Sequence, residues 1–518
     1  MNTSITQLAV LLLILSGSGF AGVIDLRLPV RIESGLVAGV FNPQTNVVSF
    51  KGIPYAAPPV GELRWREPQP PVKWNGIRKG DRFGAPCVQP TSPSGKPAPA
   101  DMSEDCLFLN IWSPAKSTTN HHAVLFFIHG GAGFFGSGNM NGEELAKKGI
   151  IVITLNYRLG LFAGMGHTLL TTESPHHACG NYGLLDLIAA LNWVRDNISA
   201  FGGDPTKVTI AGQSSGACLV HYLTTSPLAQ GLFHGVIAVS FPYDYLTKPN
   251  IIPFIRQKED NGVEYARIKN TRSLEELRNI RAIDFVTDDP AIAKAKLNHL
   301  LSGVARDGWA FPMTYPDALD KGLASDVPTM TGMTADDFGP PAMYMKTTVA
   351  SFAASVPRIP GQPPTALLAL CPPVTTDDEA RSLAKQLQIE SGMVSIFNWA
   401  KRRAKMAKSP VYTYFFGQAV PSERGAYHGS DLAYWFNDTQ NENRAWTGDD
   451  RLVADQASSY WVNFVATGNP NGNHLPVWKA FDVNSPTTMA IRKNPLPRPI
   501  AENERVGYYQ CAHENHGK

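Results

Sequence analysis

The chain has almost no excess of either charge. Its 46 Lys and Arg face 44 Asp and Glu over 518 residues, a formal net charge of +2. Proteins that hold nucleic acid usually carry a strong basic surplus, so this balance argues against a nucleic-acid partner. Cysteine is scarce, at Cys87, Cys106, Cys179, Cys218, Cys371 and Cys511. Six in a chain of this size exclude a disulfide scaffold, none forms a CxxC pair, and no tight His/Cys cluster offers a zinc site. The pairs His121-His122 and His176-His177 sit in polar stretches and read as solvated loop residues. There is no internal repeat and no long charge run.

Long apolar runs are also missing. Leu8 to Leu15 is unbroken but falls well short of the ~20 residues a membrane helix needs, and no later segment looks transmembrane. Small residues follow, Ser16 to Gly19 and then Ala21. This pattern reads as a secretory signal peptide over 1–21, cleaved near Ala21, although its first residues carry no Lys or Arg. A buried N-terminal strand is the competing reading. The expectation is a secreted or periplasmic protein without a membrane anchor, in which disulfides are permitted. Two sequons, at Asn197 and Asn437, matter only in a host that glycosylates.

What is present is material for a large core. With 43% hydrophobic and 17% charged residues, wholesale disorder is excluded. Strand-like runs alternate with helical ones: Ala123 to Ile128, Ile150 to Asn156, a helix over Leu184 to Ile198, Val208 to Ala211, then a helix from Ser215 to Thr224. Met330 to Gly332 and Val411 to Phe416 read as later strands, and Asp377 to Lys408 as a long helix. Such alternation predicts an α/β fold with a largely parallel sheet. The Pro-rich stretch Pro357 to Pro373 reads as a surface connection, and no linker splits the chain, so 22–518 is expected to be one domain.

Gly212-Gln213-Ser214-Ser215-Gly216 matches G-x-S-x-G between a strand and a helix. In that setting the motif is a nucleophile elbow, a strained turn that lifts the central serine out of the sheet. Glycines two residues to either side keep side chains from colliding there. A serine hydroxyl needs a base, an orienting acid and donors for the oxyanion. His129-Gly130-Gly131-Ala132-Gly133 follows a predicted strand, and the N–H groups of Gly131, Ala132 and Ser215 could form such a hole.

Further motifs run in order along the chain: Lys51 to Ala56, Gly61 to Trp65, Ser103 to Asn110, Asn156 to Gly160, Gly180 to Asp186 and Phe201 to Pro205. With the elbow and the glycine turn, they closely resemble the type-B carboxylesterases of the α/β-hydrolase fold, bacterial para-nitrobenzyl esterases above all. The resemblance implies a central, mostly parallel twisted sheet flanked by helices, with insertions forming a gorge. It also implies a serine ester hydrolase with a triad in the order Ser214, acid, His428. The acid falls in Gly332 to Gly339, where Asp337 is favoured over Asp336; most relatives carry Glu at that position. Acyl transfer by such a triad needs an ester, water, and no metal or organic cofactor.

Three further positions depart from the family pattern. Gln213 stands where Glu is usual, Gly133 replaces an aromatic residue and widens the acyl side, and Ser240, matching a serine that steadies the base, has atypical neighbours in Phe241-Pro242-Tyr243. The resemblance implies a disulfide between Cys87 and Cys106, closing a loop at the gorge rim. In cholinesterases that loop carries the tryptophan that meets quaternary ammonium groups; here Val88 to Asp105 contains no Trp, Tyr or Phe. Cys218, one turn past the elbow, reads as a packed thiol. The alternatives to an esterase are a non-catalytic neuroligin-like adhesion protein, or an amidase or lactonase using the same triad.

Overall fold

The computed structural model describes residues 25–92, 95–240, 252–337, 344–357, 362–420, 425–440, 444–485, 487–500 and 503–514. The leader expected over 1–21, Phe241-Pro242-Tyr243 and the Cys511 side chain lie outside the described residues.

In chain order the strands are β1 (Val30–Ile32), β2 (Gly35–Ala38), β3 (Val40–Asn42), β4 (Val47–Pro54), β5 (Ile77–Lys79), β6 (Phe108–Ser113), β7 (His122–Ile128), β8 (Ile151–Leu155), β9 (Gly203–Gln213), β10 (Gly235–Val239), β11 (Thr329–Thr334), β12 (Val411–Phe416), β13 (Thr487–Ile491) and β14 (Leu496–Pro499). Strands β1, β2 and β5 make a small sheet, and the other eleven form one sheet in the order β14-β13-β12-β11-β10-β9-β7-β8-β6-β4-β3. From β8 to β13 every pairing is parallel. The margins, β3-β4-β6-β8 and β13-β14, are antiparallel.

The sheet is buried on both faces, and the strand sequences show why. In β7, Val124, Phe126 and Ile128 join one core cluster, while Ala123, Leu125 and Phe127 join the other. Side chains alternate across a strand, so an unbroken apolar run is what a sheet covered by helices on both sides requires. Helix Tyr182–Asn197 is correspondingly buried along most of its length.

The expected strands and helices appear, but β9 begins at Gly203, five residues before the expected Val208, and two further differences stand out. The long helix spans Asp377–Arg403 and stops five residues before Lys408. The N–H groups of Ala404 to Ala407 still bond carbonyls of the last turn, and beyond them Asp326 accepts from the N–H groups of Lys408 and Ser409 at 2.8 and 3.0 Å. The segment 357–373 is not merely a surface connection. It contains a short helix, Pro364–Ala369, with Leu367 fully buried.

Parallel strands place their carboxyl ends along one edge, where open α/β sheets bind ligands. The segments leaving β7, β9, β11 and β12 carry the glycine turn, Ser214, Asp337 and His428. Four distant parts of the sequence are thus brought to the same rim of the sheet.

Candidate active site

Ser214 joins β9 to the helix Ser215–Thr225 with φ +56° and ψ −123°. Such a conformation is costly for a residue with a side chain and is held only where the surroundings fix it. They do so here: the Ser214 N–H donates to Val239 O of β10 at 2.9 Å. The flanking glycines are sterically required. A Cβ on Gly212 would lie 2.4 Å from the Gly216 backbone, and one on Gly216 would lie 2.3 Å from Ile128 O.

His428 and Asp337 meet directly, Asp337 Oδ1 bonding the imidazole Nδ1. The Asp337 carboxylate is almost wholly enclosed, with 2% of its side-chain surface accessible against 42% for His428. Its second oxygen accepts the Thr334 N–H at 3.0 Å. Asp336 is engaged elsewhere. It accepts from the Ala426 N–H at 2.8 Å and is ion-paired with Lys385 Nζ at 2.8 Å. Burial by itself would lower the His428 pKa, but the hydrogen bond and charge of Asp337, with the charge of Asp431, reverse that and the net shift is upward.

Asp431 is a residue the sequence reading missed. It is fully buried three residues after His428, and it accepts from Tyr414 Oη at 3.2 Å and Trp435 Nε1 at 3.0 Å. Burial pushes its carboxyl up to about 6. An acid among apolar residues next to a histidine was the available signal.

The other ring nitrogen of His428, Nε2, meets Gln213 Nε2 at 3.0 Å. Among the described residues Ser214 Oγ makes no hydrogen bond to the ring. Ser240 lies at the end of β10 with its N–H on Gly332 O at 2.9 Å. Its buried hydroxyl has no partner among the described residues, so the steadying contact expected of it is not made.

The glycine turn after β7 has three consecutive positive φ angles: Gly131 +119°, Ala132 +55° and Gly133 +78°. Gly131 admits no other residue, since a Cβ there would lie 1.8 Å from Phe135 O. A Cβ on Gly133 would face open space. The Gly133 N–H donates to Ser215 Oγ at 3.2 Å, tying the turn to the elbow helix. Among the described residues the N–H groups of Gly131 and Ala132 bond to nothing in the protein, which leaves them free to serve a ligand. His129 stacks on Tyr157 with ring centroids 4.5 Å apart, and burial pushes its pKa down to about 4. It is therefore a neutral wall behind the turn.

The turn is braced from a distance. Cys87 and Cys106 form the expected disulfide. Within the loop it closes, Gln89 takes the Gly136 N–H at 2.9 Å and donates to Gly136 O at 3.0 Å. Asn156 accepts from the Gly138 N–H at 2.8 Å. Several motifs are structural: Arg158 pairs with Asp186 at 2.7 Å with both side chains enclosed, and Arg64 pairs with Glu104. Cys218 is a buried thiol pushed up to about 12 by burial, and so inert. Asn197 is also buried with its amide bonded to Trp193 O at 3.0 Å, so this sequon is closed in the folded chain. His121, His176 and His177 are exposed, as expected of loop histidines, but His122 is not a loop residue: it opens β7, half-buried, with its Nδ1 on Gly149 O at 2.9 Å.

Known proteins share this arrangement of strands and motifs. The model of the carboxylesterase family matches residues 27–361 and 370–509. The chain is 32% identical over 474 residues to a fumonisin B1 esterase of Sphingopyxis macrogoltabida, covering 88% of this chain and 85% of that one. It is 32% identical over 489 residues to the para-nitrobenzyl esterase of Bacillus subtilis, covering 89% and 94%. Among solved structures, a carboxylesterase of Geobacillus stearothermophilus superposes with a TM-score of 0.75 at 28% identity, covering 93% of this chain and 99% of that one. A para-nitrobenzyl esterase superposes with a TM-score of 0.74 at 27% identity over similar shares. The fold is that of the α/β-hydrolases, and the chain belongs to the carboxylesterase family.

Proposed function

We propose that this carboxylesterase hydrolyses its esters through a triad of Ser214, His428 and Asp337 and an acyl-enzyme intermediate. The observation that carries the reading is the contact between Asp337 and Nδ1 of His428, made on the sheet rim that also holds the strained serine. His428 Nε2 takes the Ser214 proton as Oγ attacks the ester carbonyl. The tetrahedral oxyanion is held by N–H groups of Gly131, Ala132 and Ser215, each donor of this kind being worth ~2.7–4 kcal/mol of barrier. The alcohol departs with the proton from Nε2, water repeats the attack on the acyl-enzyme, and the acid is released. Asp337 fixes the ring tautomer and stabilises the imidazolium.

Ser214→Ala tests this. It is expected to abolish turnover and fluorophosphonate labelling while the circular dichroism spectrum stays that of the wild type. Labelling that persists at another serine would overturn the assignment.

The catalytic unit is read as one domain over 22–518, exported after removal of 1–21. The apolar run Leu8 to Leu15 and the Cys87–Cys106 disulfide support export, since disulfides persist in oxidising compartments. No helix among the described residues is long and apolar enough to cross a membrane. Mass spectrometry of the mature protein from culture medium or periplasm checks the cleavage near Ala21; an intact leader there would refute it.

A further inference from the structure

The Gln213 carboxamide occupies the ring nitrogen that catalysis assigns to Ser214. Its Nε2 lies 3.0 Å from Nε2 of His428, and Asp337 holds the opposite nitrogen. In a neutral ring whose Nδ1–H points at a carboxylate, Nε2 is an acceptor, so the carboxamide N–H donates to it. The amide is walled in. A Cβ on Gly130 would lie 2.5 Å from its Oε1, and one on Gly429 would lie 3.3 Å from its Nε2. Only 7% of Gln213 is exposed.

We infer that Gln213 is a positioning residue for the base, holding the His428 ring with Nε2 turned to the elbow at rest and ceding that nitrogen to Ser214 when an ester binds. The inference rests on the triad reading above. A carboxamide suits both charge states of the ring. While the ring is neutral, the amide N–H engages the Nε2 lone pair. Once the serine proton has moved to Nε2, that nitrogen is a donor committed to Ser214 and then to the leaving alcohol, and a neutral amide does not compete for its proton as a carboxylate would. A carboxylate at this position could only accept, and would favour the imidazolium throughout. The acidic groups that face His428 are Asp337 and Asp431. Asp336 is turned to Ala426 and Lys385. A neutral residue at 213 thus leaves the base with two anionic neighbours instead of three, and keeps it unprotonated at lower pH than Glu would.

Two variants test this on the full chain with para-nitrophenyl butyrate. Gln213→Glu keeps the side-chain shape and is expected to move the acid limb of kcat/KM upward by about one pH unit or more, the effect of an opposite charge at ~4–6 Å. Gln213→Met keeps the length without polar atoms. It is expected to lower kcat about tenfold, a part of the ~10²–10⁴ that a placed base supplies. KM should stay within about twofold, because the contact is not one made to substrate. An acid limb unmoved in Gln213→Glu, or wild-type kcat in Gln213→Met, overturns the inference. If Gln213→Met does not fold, the Gln213→Glu profile decides alone. Failure of the wild type to label at Ser214 with a fluorophosphonate would instead remove the triad reading; normal labelling with an unmoved limb removes only the role of Gln213.

Discussion

Asp336 and Asp337 are adjacent in the chain, yet their carboxylates reach different partners. Asp337 bonds His428 Nδ1, while Asp336 holds the Ala426 N–H and Lys385. Ala426 lies two residues before His428, so both acids act on one segment. One addresses the ring and the other the backbone that delivers it.

Asp337→Asn and Asp336→Asn should therefore fail in different ways. Asp337→Asn is expected to cut kcat on the order of ~10⁴-fold by favouring the wrong ring tautomer. Asp336→Asn keeps an oxygen for Ala426 and loses the charge that faces Lys385, so its urea midpoint should fall while kcat drops less than about tenfold. Steady-state kinetics with urea unfolding of both variants checks this, and the reverse ordering of kcat would exchange the two roles.

The pH dependence has a definite sign. Asp337 and Asp431 raise the His428 pKa against the opposing effect of burial. A base must be unprotonated to act, so activity is lost as pH falls through the raised value and regained above it. The acid limb of kcat/KM should have its midpoint above the ordinary histidine value of ~6.5. Asp431→Asn removes one of the charges holding the imidazolium and should move that midpoint down. A pH–rate profile of both proteins measures the difference; an upward shift in the variant would exclude Asp431 from the electrostatics of the base.

The legible parts of this site are those with local causes. The elbow was readable because its glycines answer a collision between residues four apart in sequence, Gly212 and Gly216. Strand β7 and the turn after it were readable from an apolar run ending in glycines. The contact between Gln213 and His428 spans 215 positions, and Gly133 to Ser215 spans 82. No periodicity encodes either one. Gln213 read as a missing charge, and only the fold shows that its amide faces the base. The early end of the helix at Arg403 was hidden for the same reason, because the chain after Ala407 is held from a remote loop by Asp326, which accepts from the N–H groups of Lys408 and Ser409.

Lys258 should contribute strongly to stability away from the site. Its fully buried Nζ donates to the carbonyls of Gly164, Leu301 and Gly303 at 2.9, 3.0 and 2.6 Å, with Gly180 O at 3.4 Å. Met in its place would fill the space but leave these carbonyls unpaired, at ~1–3 kcal/mol for each group that water cannot reach. Lys258→Met is expected to lose about 3 kcal/mol or more, read as a lower urea midpoint with unchanged slope. The kcat/KM of the folded fraction should stay near wild type. A midpoint equal to wild type would mean that water replaces the ammonium.

The enzyme should not favour choline esters. A quaternary ammonium group is held by cation–π contact with an aromatic face, worth ~0.5–1 kcal/mol when exposed and ~2 or more when desolvated. The disulfide-closed loop that carries the aromatic residue in cholinesterases is present here between Cys87 and Cys106. Its residues Val88 to Asp105 include no Trp, Tyr or Phe, and Gln89 within it is committed to Gly136. The residue before the nucleophile, Gln213, adds no negative charge to attract a cation. Loss of a contact worth ~1–2 kcal/mol corresponds to roughly 5–30-fold in selectivity. Butyrylcholine should therefore be no better a substrate than 3,3-dimethylbutyl butyrate, its neutral analogue of equal size. The comparison is of kcat/KM at matched ionic strength, because long-range attraction between net charges is screened by salt while a contact is not. A preference for the charged ester that survives at high salt would require an aromatic or acidic partner for the ammonium outside this loop.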